Sequence, residues 1–142
     1  MTAIEGETLS LAQLVDKPGY EFKPVICEIE KGMIRRFVQA VGDDNPRWRE
    51  EAPPTLALTL GFDSIQEVLS SDPALTVLHG TTELESYRPL RLGDVVTVSA
   101  RVDKVRQRQG KMGLSRFVTF EINCRNQRDE LVARCRQMAI VY

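Results

Sequence analysis

The sequence predicts an α+β domain in which an antiparallel sheet wraps around one long helix. Three observations carry that expectation. Between Glu30 and Val41 the apolar residues Ile34, Phe37, Val38 and Val41 recur at i, i+3, i+4 and i+7, one stripe of an amphipathic helix. Beyond residue 95 the pattern changes to period two, with Val96, Val98, Ala100 and Val102, then Val118, Phe120, Ile122 and Cys124, alternating with polar neighbours. No linker, internal repeat or low-complexity tract divides the 142 residues, so 1–142 reads as a single domain.

The elements follow in order. Glu7 to Asp16 is expected to form a short helix on Leu9, Leu11, Leu14 and Val15, ended by Pro18-Gly19. Tyr20 to Ile29, with Val25, Ile26 and Ile29, reads as a strand. The central helix occupies about residues 30–42, with Lys31, Arg35, Arg36 and Gln39 on its other face and Gly42 placed to stop it. Pro53-Pro54 favours an extended start for Thr55 to Phe62. Ser64 to Leu69 suits a second short helix, and Pro89 and Gly93-Asp94 mark a corner after Thr76 to Ser86. The polar stretch Arg106 to Gly113 should join the two alternating strands as a hairpin. Arg125 to Glu130 turns the chain into Leu131–Tyr142, whose apolar end (Met138 to Val141) suits a central or interface strand. Edge strands of such a sheet commonly pair between subunits, so a dimer is expected.

Composition narrows the class. With 42% hydrophobic and 27% charged residues the chain reads as a soluble globular protein. It has no run of about 20 apolar residues that would cross a membrane, and its first residues lack the pattern of a signal peptide. Cys27, Cys124 and Cys135 are odd in number and contain no CxxC pair, which favours a reducing cytoplasm over a disulfide framework or zinc site. His79 is the sole histidine, which excludes a multi-histidine metal site. No resident cofactor is implied. Residues 1–87 carry 7 basic and 15 acidic side chains, a balance of −8, whereas residues 88–142 carry 12 and 5, a balance of +7. The split fits either an anionic partner or solvated strand faces. A pI of about 5.9 without a known binding module argues against nucleic acid.

The richest segment is Gly42-Asp43-Asp44-Asn45-Pro46-Arg47-Trp48, directly after the predicted helix. Asp43 there can orient or deprotonate water, or simply bond backbone N–H groups of the turn. Asn45 before Pro46 is likewise a turn former whose amide can hold a loop or a ligand. Trp48 offers one N–H donor and no acceptor, so it cannot serve as a base. It suits lining an acyl channel, stacking on an adenine or packing at an interface.

Gly-Asp-x-Asn-Pro resembles the signature of MaoC-like (R)-specific enoyl-thioester hydratases, in which an aliphatic residue and the catalytic histidine follow; Trp48 stands at the place of that histidine. Ala52-Pro53-Pro54-Thr55, Leu78-His79-Gly80 and Tyr87-Arg88-Pro89-Leu90-Arg91-Leu92-Gly93-Asp94 extend the resemblance along most of the chain. In that order they resemble the N-terminal-type domain of fatty-acid-synthase-like dehydratases. The resemblance implies a hot-dog fold and reversible addition of water to an enoyl thioester of coenzyme A or an acyl carrier. By the same resemblance Asp43 matches the catalytic aspartate, His79 is either a substitute base or a hydrogen-bonded structural residue, and Gly80 is an oxyanion donor. Asn45 and Trp48 would contact substrate. Arg88 and Arg91, with Lys104, Arg106, Arg108 and Lys111 nearby in sequence, would meet phosphates.

Three functions follow. The leading expectation is a hydratase or dehydratase subunit that lacks its own base and forms a heterodimer with a catalytic hot-dog chain. The second is a self-sufficient homodimeric thioesterase or hydratase using Asp43. The third is a non-enzymatic acyl-thioester binding or scaffold protein.

Overall fold

A computed structural model of the chain describes residues 9–142. A first helix, α1 (Leu11–Leu14), is fixed by a capping box in which Ser10 and Gln13 exchange side-chain and backbone hydrogen bonds. It is shorter than the helix expected over 7–16, and residues 7 and 8 lie outside the described range. Strand β1 (Val25–Glu28) covers only the end of the expected Tyr20–Ile29 strand. Pro24, which has no N–H to donate, precedes it, and upstream the chain touches the sheet through single bonds such as Phe22 N–H to Ala100 C=O.

Helix α2 (Lys31–Val41) lies where the 3.6-residue period put it, and Gly42 ends it with φ +72° and an N–H bonded to Val38 C=O. A 3₁₀ segment, Pro46–Arg49, leads into β2 (Glu51–Ala52). The expected extended start after Pro53-Pro54 is not formed: Pro54–Thr59 is a second 3₁₀ segment. Pro54 occupies its first turn, where the missing N–H costs nothing and the fixed φ favours helical geometry. Helix α3 (Phe62–Leu69), β3 (Val77–Ser86) and β4 (Leu90–Arg91) follow. The three longest strands are β5 (Val95–Gly110), β6 (Gly113–Arg125) and β7 (Leu131–Val141). The hairpin between β5 and β6 is tighter than the polar 106–113 stretch suggested. Pairing continues to Gly110 opposite Gly113, leaving only Lys111 and Met112 in the turn.

The main sheet is antiparallel in the order β1-β5-β6-β7-β3, and β2 pairs with β4 separately. One face buries Val96, Val98 and Val102 of β5 with Val118, Phe120 and Ile122 of β6. Against that core pack Leu11 and Leu14, then Leu56 and Leu60, then Ile65 and Val68. The helix expected at the centre contributes less. In α2 only Ile34 is buried, with Phe37 and Val38 half-covered and Val41 56% exposed. The sheet is therefore filled largely by Pro54–Thr59 and α3. The reason lies in the polarity of α2, where Lys31, Arg35 and Arg36 leave too narrow an apolar stripe for enclosure.

Candidate functional site

Where α2 stops, the chain makes two nested Asx turns. Asp43 Oδ1 accepts the Asn45 N–H at 3.1 Å, and Asn45 Oδ1 accepts the Arg47 N–H at 3.0 Å. Asp43 Oδ2 in turn accepts the indole Nε1–H of Trp48 at 2.8 Å. The carboxylate thus serves the turn and the indole together. The turn reading of Asp43 and Asn45 is realised, and Trp48 supplies a donor beside Asp43 rather than a base.

Trp48 is half-buried and stands between two cavities. Arg47 also lines the smaller one, of about 180 Å³; its guanidinium stacks on the Trp48 ring, 5.4 Å from the centroid, and bonds to Glu51. The larger is a groove of about 420 Å³ between α2 and Pro46–Arg49.

His79 is elsewhere. It sits exposed on β3, with Nε2 at 2.9 Å from Thr82 Oγ1. It borders a different cavity, of about 330 Å³, walled by Phe62, Ile65 and Leu69 of α3 and by Phe120, Met138 and Ala139 of the sheet. Gly80 beside it drops out of register with β7, forming an irregularity between His79 and Thr81. A Cβ at Gly80 would lie 2.6 Å from the mobile end of the Met138 side chain and 3.1 Å from the Met138 carbonyl oxygen, so the two backbones approach closely here.

The arginines of the Tyr87–Asp94 segment are separated as well. Arg88 lines the small cavity with Trp48 and pairs with Glu130 at 3.1 Å. Arg91, opposite Glu51 in the β2–β4 ribbon, borders another hollow with Arg47 and Arg49. Its backbone N–H is held by buried Asp94, which also accepts from Gln127. Lys104, Arg106, Arg108 and Lys111 are exposed along the outer end of β5 and its turn. The structure therefore brings Asp43, Asn45 and Trp48 together, sets Arg88 in the small cavity beside Trp48 and Arg91 in a separate hollow with Arg47 and Arg49, and leaves His79 and Gly80 at a separate apolar cavity.

Two groupings were not foreseen from the sequence. Lys31, Arg35 and Arg49 converge on the 420 Å³ groove. On the sheet, Glu121 of β6 is gripped by Arg101, Arg134 and Arg136 from both neighbouring strands. Burial pushes the Glu121 carboxyl up, but the Asn123 amide and the three guanidiniums together hold it below its ordinary value. The 4-residue spacing of Lys31 and Arg35 was a readable signal for the first; strand register alone makes the second.

A five-stranded antiparallel sheet packed on helical segments, with an Asp-x-Asn-Pro turn at the end of α2, defines a hot-dog protein of the dehydratase and hydratase class. The chain belongs to the family described as FAS1-like, dehydratase domain region, which it matches over residues 16–135. It is 30% identical over 100 residues to a UPF0336 protein of Streptomyces coelicolor, covering 58% of this chain and 66% of that one. It is 27% identical over 133 residues to a probable enoyl-CoA hydratase alpha subunit of Thermomonospora curvata, covering 73% of this chain and 42% of that protein. The chain thus spans less than two thirds of these curated relatives. Among solved structures, the (R)-hydratase PhaJ1 of Pseudomonas aeruginosa superposes with a TM-score of 0.70 at 20% identity, covering 92% of this chain and 83% of that one. The HadBC (3R)-hydroxyacyl-ACP dehydratase complex of Mycobacterium tuberculosis gives 0.72 at 18%, covering 87% and 96%. A MaoC-like dehydratase of Rhodospirillum rubrum gives 0.70 at 21%, covering 95% and 97%. At these identities the structures establish the fold. Among the described residues, no helix is long and apolar enough to cross a membrane.

Proposed function

We propose that this chain is a subunit of an (R)-specific enoyl-thioester hydratase or 3-hydroxyacyl-thioester dehydratase, and that the acid–base pair belongs to a partner hot-dog chain. The observation that carries the reading is the Asp43–Trp48 hydrogen bond. Hydration requires a base to take a proton from water as its oxygen bonds C3, a proton delivered to C2, and donors to the thioester oxygen as charge develops there. Indole accepts no proton, and it engages one oxygen of Asp43, the carboxylate that matches the aspartate of the hydratase motif.

The chain retains features suited to the remaining tasks. The apolar cavity between α3 and the β3–β7 edge has the character of an acyl-chain site, and the Gly80 irregularity at its border is the candidate place for a thioester oxygen. The thioester itself, of coenzyme A or of an acyl carrier, is substrate, and the reaction calls for no separate cofactor. Strand β3 is ten residues long and, among the described residues, pairs on one side only, so its free edge suits a second subunit. That the similar dehydratase structure is the HadBC complex supports a two-chain assembly. Three free thiols suit a reducing cytoplasm.

The test is hydration of crotonyl-coenzyme A by the purified chain, alone and mixed with a hot-dog chain carrying an intact Asp-x-Asn-Pro-x-His. Turnover only in the mixture is expected. Robust turnover by the chain alone that disappears in Asp43→Ala overturns the assignment. Thiol release without hydration would instead identify a thioesterase.

A further inference from the structure

We infer that the groove between α2 and Pro46–Arg49 binds an adenine-nucleotide-type ligand, a flat heteroaromatic ring carrying phosphate. Its floor is apolar, made by Ile34 and Val38 of α2 and by Trp48. Lys31 and Arg35, one helical turn apart, stand on one wall and Arg49 on the other. Among the described residues none of these three cations lies within 4 Å of a carboxylate, although seven other arginines of the chain do. Asp44 is the one carboxylate that lines the groove, leaving two positive charges in excess.

The geometry selects the ligand. Three unpaired cations around an apolar floor disfavour an acyl chain and favour an anion with a ring. Trp48 is fixed for stacking. Asp43 holds its edge through Nε1, Arg47 stacks on the ring, and the half-buried indole lines the groove. A flat heteroaromatic ring fits there by offset stacking, at about 4.5–7 Å between centroids. Its phosphates would then meet Arg35 and Arg49, whose planar donors match phosphate oxygens in pairs, and Lys31 as a point charge. At about 420 Å³ the groove holds one small molecule rather than a polymer. Such a head group can arrive as a free nucleotide or as the nucleotide end of coenzyme A.

The chain's single tryptophan is the probe for its own site. Fluorescence of the full chain is titrated with ADP, adenosine, inorganic pyrophosphate, adenosine 3′,5′-bisphosphate and coenzyme A, with calorimetry as the second measurement. ADP is expected to quench Trp48 saturably, adenosine to need roughly tenfold more for the same effect, and pyrophosphate to displace ADP. The exposed double variant Lys31→Glu/Arg35→Glu should weaken binding by roughly tenfold or more, whereas Lys23→Glu, an exposed cation outside the groove, leaves it unchanged. Tighter binding of coenzyme A and the 3′,5′-bisphosphate than of ADP assigns the site to the thioester head group; equal affinity assigns it to free nucleotide. Absence of a saturable response at millimolar ligand in both measurements overturns the site, as does binding indifferent to the charge reversal at Lys31 and Arg35. No partner or turnover enters this experiment, so a failed hydration assay leaves the site standing, and a failed titration leaves the hydratase reading standing.

Discussion

The indole Nε1–H of Trp48 donates to Asp43 Oδ2 at 2.8 Å, while the other oxygen of the same carboxylate caps the Asn45 N–H. A residue unable to accept a proton is thus the side-chain partner of the carboxylate in the Asp-x-Asn-Pro turn. The turn geometry of the Asp-x-Asn-Pro segment is formed around Trp48. Asp43 is a structural acceptor here, and its side chain should show its value in stability.

Asp43→Ala removes both acceptors and should cost about 1 kcal/mol, and Asp43→Asn, which keeps one carbonyl oxygen, about half of that. Trp48→Phe deletes the indole donor together with part of the ring that stacks under Arg47, a packing loss that the double-mutant cycle subtracts. Urea unfolding of the two singles and of Asp43→Ala/Trp48→Phe gives the coupling, expected at about 0.5–1 kcal/mol because the site is exposed. A coupling of zero would show that the bond does not form in solution.

Gly61 should tolerate substitution poorly. It precedes α3 with φ +69°, and a Cβ there would lie 2.6 Å from Val98 Cγ1 of the interior strand β5. Gly61→Ala therefore combines left-handed strain with a clash against a buried side chain, a loss of about 2–4 kcal/mol. Val98→Ala in the same chain should recover part of that loss by removing the clash while leaving the strain. Additive losses in the double variant would refute the contact.

These two sites also show what the sequence revealed and what it withheld. The helix over 31–41 and the alternating strands were legible because their periods are local and Gly42 and the turn segments punctuate them. Enclosure of α2 was not, because whether Phe37, Val38 and Val41 are covered depends on segments 54–60 and 62–69, distant neighbours with apolar faces of their own. Pro54 was legible as a break and illegible as the start of a 3₁₀ turn, since proline suits both. The Asp-x-Asn-Pro turn was recognisable as a motif, but its bond to Trp48 required the rotamers that the 3₁₀ segment imposes. The apolar cavity and the groove join residues from separate elements, so their membership follows from topology rather than spacing.

Glu121 should be the most sensitive charged residue of the sheet. Its carboxylate is 10% exposed and faces Arg101, Arg134 and Arg136. Replacing it by Ala leaves three half-covered guanidiniums without their shared partner, a loss of about 1–3 kcal/mol after allowance for solvent screening. Its pKa is lowered in the folded state, so this stabilisation is present above the ordinary glutamate range and is lost as pH falls through the depressed value. Acid unfolding curves of Glu121→Gln and the parent chain should therefore converge at low pH and diverge toward neutrality. Parallel curves would assign the effect to packing.

The buried thiols should set the alkaline limit of stability. Burial pushes Cys124 up to about 12, with Cys135 and Cys27 adding to the effect, and burial alone pushes Cys135 up to about 11. Against an unfolded value of 9.0, both thiols stay protonated in the fold while the unfolded chain ionises. Their stabilisation is complete below that value and declines as pH rises toward the folded ones, by roughly 2 kcal/mol per thiol at pH 10.5. Cys124→Ala/Cys135→Ala, though less stable at neutral pH from lost packing, should have a flatter stability profile between pH 9 and 11. The same burial predicts the order of labelling by a thiol reagent in the native state at pH 8: half-buried Cys27 first, Cys124 and Cys135 only at the rate of unfolding. Equal labelling of all three would mean that the β6–β7 core opens far more readily than its burial implies.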